Sequence, residues 1–188
     1  MRTALVTFVL VLCSALPVAG QTAEEAPAPP TKLEAFMAQA GVVVIRGFSR
    51  VGEIHGRDGA TAAVDAEEVT NAASGEKEYG LTITVKGAGA SATERTSYID
   101  YDEIDALVRG LDAVAKVDRS ATPMAEFRAD YRTRDGLEFS TFGGAQQMRA
   151  AISSGHRGRV TALFQWSELV KLKDIVVQAK TTLDSPRQ

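Results

Sequence analysis

Between Tyr79 and Val85 the chain alternates cleanly, with Tyr79, Leu81, Ile83 and Val85 on one face and Gly80, Thr82 and Thr84 on the other. That period of two predicts a half-exposed antiparallel strand. From Tyr98 the period changes. Tyr98-Ile99-Asp100-Tyr101 reads as a short strand, Asp102 as a helix N-cap, and Ile104, Leu107, Val108, Leu111, Val114 and Ala115 recur at helical spacing. Near the C-terminus Leu163-Phe164-Gln165-Trp166 leads to Ser167 as cap, followed by Leu169, Leu172, Val176, Ala179 and Leu183. A helix with so wide an apolar stripe is expected to belong to the core.

The remaining elements follow from local signals. Thr31 and Glu34 have capping-box spacing, and Leu33, Phe36 and Met37 share a face, predicting a short helix ended by Gly41. The β-branched run Val42 to Phe48 predicts a strand buried on both faces at its start. A kink or bulge is expected around Glu53-Ile54-His55, among Gly52, Gly56 and Gly59. Ala60 to Val69 reads as a weaker strand and Asn71 to Glu78 as a loop. Phe127 to Arg132 and Leu137 to Phe142 predict a hairpin around Arg134-Asp135-Gly136. Gln146 to Ser153 reads as a strand turning through Ser154 to Gly158 into Val160 to Phe164.

An offset of 65 aligns Tyr98 with Leu163, Tyr101 with Trp166, Ile104 with Leu169 and Leu107 with Leu172. This is either an internal duplication or two strand-to-helix corners obeying the same physics. The expected fold class is α+β: antiparallel sheets of about eight to nine strands with two long amphipathic helices, arranged as two ββββα halves. That order resembles the general topology of PUR-repeat and Whirly-type domains, without a matching motif. The resemblance covers architecture alone, and fold does not carry function. Single-strand binding needs a basic groove and stacking aromatics, which this acidic chain does not display, so no nucleic-acid partner is expected.

Composition adds a compartment. Arg2 precedes the uncharged run Thr3 to Gly20, which closes on Val18-Ala19-Gly20, the order of a secretory signal peptide over residues 1–20. A retained anchor is the competing reading, since a run of about 18 residues could just span a bilayer, but Pro17 and the small residues favour cleavage. Cleavage would leave no stable membrane span. Leu12 stands where a lipobox needs a small residue, so Cys13 is not expected to be lipidated. Residues 21–30, QTAEEAPAPP, read as a flexible linker, and residues 31–188 as one α+β domain. Cys13 is the single cysteine, so the mature chain would be disulfide-free and would lack a thiolate nucleophile or ligand. The expected location is periplasmic or secreted.

No motif names a chemistry. Asp100, Asp102, Glu103 and Asp105 form the densest acidic group, and Asp100, Asp102 and Asp105 are candidates for a metal site, because closely spaced carboxylates can hold calcium. The competing reading is a helix start, where acidic residues complement the dipole. His156, Arg157 and Arg159 lie in a Gly/Ser-rich turn that could bind an anion, or could simply be a solvated hairpin tip. Gly87-Ala88-Gly89 lacks the third glycine and the helix of a dinucleotide loop. His55 and His156 are the only histidines, with no zinc or triad spacing. No catalytic or cofactor-binding residue is assigned, and no cofactor is expected. The aromatics Tyr98, Tyr101, Phe127, Tyr131, Phe139, Phe142, Phe164 and Trp166 are expected mostly in the core.

The sequence thus points to an exported, non-enzymatic interaction or structural module, its partner an unidentified protein or envelope component. Two alternatives stand beside it. One is a periplasmic carrier of a small or lipidic ligand, and the other a hydrolase using a histidine with the Asp100 to Asp105 group.

Overall fold

A computed structural model describes residues 31–143, 147–155 and 158–187. The expected leader and linker, His156 and Arg157 lie outside them. After α1 (Lys32–Met37) come β1 (Val44–His55), β2 (Thr61–Asn71), β3 (Lys77–Lys86), β4 (Glu94–Asp100) and α2 (Ile104–Lys116). The second half is β5 (Phe127–Arg132), β6 (Glu138–Gly143), β7 (Met148–Ser154), β8 (Val160–Gln165) and α3 (Trp166–Arg187). Each set of four strands forms an antiparallel sheet in simple sequential order, so the fold is α+β with two ββββα halves.

The offset of 65 carries buried positions onto buried positions. Ser97 and Ala162, Ile99 and Phe164, Ile104 and Leu169, Leu107 and Leu172, Leu111 and Val176, and Val114 and Ala179 are all buried. They enter a core to which both sheets and both long helices contribute, except that Ser97 instead bonds Ser154 across the two sheets at 2.8 Å. The helices cross between the halves. α3 packs on β1 and β2 of the first sheet as well as on its own β7 and β8, whereas α2 lies against β5 and β6 of the second sheet and against α3. Two glycines permit the close approach. A Cβ on Gly52 of β1 would stand 2.9 Å from Ile175 of α3, and one on Gly110 of α2 would stand 2.4 Å from the Tyr131 ring of β5.

Several expectations are corrected. The chain enters α2 through a single turn of 3-10 helix, Tyr101–Glu103, and Asp102 makes no N-cap bond. Ser167 likewise lies inside α3, which begins one residue earlier at Trp166. Asp100 caps a different helix: its carboxylate accepts the Lys32 and Leu33 N-H groups at 3.0 and 3.1 Å, fixing α1 on the outer face of the first sheet. α1 buries Leu33 and Phe36 against Val69 and sets Leu33 over Gly80, which is therefore covered rather than exposed; Thr82, between Asp65 and Tyr98, is buried too. The alanine-rich β2 is a central strand, buried along most of its length, because small side chains admit the helix above it. The bulge falls at Arg50 to Gly52, where Val51 has no cross-strand partner, and not at Glu53 to His55. Of the eight aromatics expected mostly in the core, Phe139 and Phe164 are buried; Trp166 is exposed on one side while its indole N-H donates to the Ala115 carbonyl at 3.0 Å.

Candidate functional site

The acidic group does not assemble as a metal cage. Asp100 is occupied by the start of α1. Asp102 accepts Lys32 Nζ at 3.0 Å and Arg134 Nη2 at 3.2 Å, and Asp105 accepts Lys180 Nζ at 2.6 Å. The hydrogen bond from Lys32 holds the Asp102 carboxyl below its usual range, and that from Lys180 does the same for Asp105. Among the described residues no three metal-ligating side chains gather around an open point. The cluster ties α1, the start of α2, the β5–β6 turn and α3 together.

Arg159, the described member of the expected anion site, pairs with Glu138 at 2.8 Å. Glu138 is buried and also receives Arg132 at 2.6 Å and Arg128 at 2.9 Å. One carboxylate thus collects three guanidinium groups on the outer face of the second sheet, with Asp130 bonded to Arg128 and Ser140 beside them. His55 is exposed at the far end of β1, 3.5 Å from Glu53. The strand register places it level with Lys86 and Glu94, whereas Asp100 is level with Gly80, so about 20 Å of sheet separates His55 from the acidic group.

The feature that the sequence did not reveal is the first half of β1. Instead of being buried on both faces, Ile45 and Phe48 are 55% and 72% exposed, as is Val43, just before the strand, at 68%. The run is β-branched whether a strand lies in the middle of a sheet or at its edge, and β1 is an edge. Arg46 and Arg50, alternating with Phe48 at period two, were the available sign of solvent. These arginines fold back onto buried acids of β2, with Arg46 Nε to Glu67 Oε1 and Arg50 Nε to Asp65 Oδ1 both at 2.5 Å. Phe48 stands between them. α3 meets β1 at Gly52, which lies against Ile175, and there Val51 and Ile54 join the core.

The other long edge is managed differently. The Tyr98 N-H of β4 donates to Asp135 Oδ2 at 2.8 Å, and Ser97 is tied to Ser154. Among the described residues, no backbone bond from another element reaches the outer edge of β1 between Val44 and Arg50. An edge strand with apolar side chains and unpaired N-H and C=O groups is a template for another strand. No family model, curated protein or solved structure matches the chain. Among the described residues, no helix is long and apolar enough to cross a membrane.

Proposed function

We propose that the protein is an exported, non-enzymatic interaction module that takes up an extended segment of a partner along the outer edge of β1. The observation that carries this reading is the exposure of Ile45 and Phe48 on β1, and of Val43 just before it, beside a free backbone edge that is not covered. In such strand addition main-chain hydrogen bonds supply affinity, and alternate side chains supply selectivity. Export is supported by Arg2, the apolar run and the Val18-Ala19-Gly20 exit. The carrier alternative needs a cavity between sheets and helices, and that space is filled by Leu81, Ile83, Leu107, Phe139, Leu172 and their neighbours.

A photoreactive amino acid placed at Phe48 in the native host tests the reading, with the same probe at exposed Thr161 of the second sheet as control. The expected result is one discrete adduct at position 48 and none at 161. No adduct at 48, or the same adducts at both positions, would remove the basis for an interaction edge.

A further inference from the structure

The geometry points to a second copy of this chain as the occupant of the β1 edge, joined antiparallel about a twofold axis through Gly47; the inference rests on the proposed role of β1. The Val43 carbonyl accepts the Ala72 N-H at 2.9 Å, so Val43 turns its backbone toward β2. By the alternation of an antiparallel ladder, Ile45, Gly47 and Ser49 do the same, and Val44, Arg46, Phe48 and Arg50 direct their N-H and C=O groups outward. Self-pairing must place these even-numbered residues opposite one another, which restricts the twofold to lie at a residue.

Charge then selects the residue. A twofold at Arg46 sets that guanidinium against its own copy, and one at Phe48 sets Arg46 against Arg50 twice; like charges directly opposite are destabilising. A twofold at Ile45 leaves only Val44 to Arg46 paired within the strand, and one at Ser49 runs into the bulge at Val51. At Gly47, Arg46 faces Phe48 of the second copy and Val44 faces Arg50, with no like charges opposed. The cation lies by the aromatic ring, and the diagonal neighbours are the two Phe48 rings on one side and the two Arg46 side chains, each already held by Glu67, on the other. Arg46 and Arg50 are already engaged by Glu67 and Asp65, so neither guanidinium is free to clamp the carboxylates of an acidic peptide. The contact is smaller than a standard interface of about 1,600 Å², so the dimer is concentration-dependent.

The register can be read with single cysteines. The whole chain, produced with its own leader and with Cys13→Ser, has no other thiol. Gly47→Cys, Ile45→Cys and Ser49→Cys are then compared under mild oxidation. Gly47 faces its own copy in a non-hydrogen-bonded pair, where Cα atoms lie about 4.5 Å apart, within reach of a disulfide. A side chain there meets nothing closer than the Glu68 carbonyl oxygen at 3.9 Å. Residues 45 and 49 stand opposite each other, so each is about 13 Å from its own copy. The expected result is a linked dimer at 47 alone, with concentration-dependent mass in sedimentation of the uncrosslinked chain. Phe48→Arg, which sets Arg against Arg46, should abolish both while melting as the parent does. Equal linking at all three positions, or a monomer with no link at 47, overturns the twofold. If position 47 does not link but the photoprobe at Phe48 captures a different chain, the interaction reading survives without self-pairing; if neither occurs, both fall.

Discussion

Glu103 and Glu138 are both buried carboxylates beside arginines, yet their surroundings push them in opposite directions. For Glu138, burial disfavours charge, but the hydrogen bonds from Arg132 and Arg159 outweigh it and hold the carboxyl below its usual range. For Glu103, burial dominates and raises the carboxyl, only partly offset by the Arg134 backbone N-H at 2.8 Å, and its Oε2 has no hydrogen-bond partner. A depressed folded-state value contributes stability above the unfolded-state value, lost as pH falls through the folded one. A raised value contributes stability at low pH, lost as pH rises through it. Glu138→Gln should therefore lower the melting temperature at neutral pH, costing about 1 to 2 kcal/mol once the half-exposed arginines are allowed for. Glu103→Gln should raise it. The Glu138 difference should shrink as pH falls below the ordinary glutamate range near pH 4, whereas the Glu103 difference should shrink earlier, as pH falls through its raised value toward that range. Melting curves across pH check the signs, and a Glu103→Gln protein less stable than the parent at pH 7 would show that pairing with Arg134 outweighs burial.

At the scale of the element, α3 shows what periodicity can and cannot convey. Leu169, Leu172, Val176, Ala179 and Leu183 are all buried, as their spacing requires, while Val170 and Val177 on the flanks are exposed. Leu172→Ala should cost about 2 to 5 kcal/mol, and Val170→Ala should leave denaturant unfolding nearly unchanged; equal midpoints for the two would contradict the packing. Helices and hairpins were legible because each announces itself within a few residues, through a stripe, an alternation or a glycine turn. The Thr31–Glu34 capping box was legible for the same reason, but the role of Asp100 was not, since it caps a helix that precedes it by nearly seventy residues. A helical stripe says which face is buried but not against what, so the crossing of α2 and α3 onto the opposite sheets left no local trace. The exposed edge was hidden for a related reason: Val42 to Phe48 satisfies the pattern of a central strand, and only the sheet order places it outside.

In the whole molecule that crossing makes each half incomplete. Sheet one receives Ile175 of α3 at Gly52, and sheet two presents Tyr131 to Gly110 of α2. Residues 31–117 and 118–188 produced separately should lack a cooperative melt, and mixing them should restore one; two halves that fold alone would show the exchange to be dispensable. The exchange also governs timing. More than a hundred residues separate β1 from the helix that seals it. Such distant contacts carry a loop-closure cost that slows folding. During synthesis the first sheet has no lid until α3 emerges, and a chain that is still open is one that can be threaded through a narrow channel. A slow, late-closing topology of this kind suits the export proposed above, and it leaves the β1 edge as the part of the molecule that the final closure never covers.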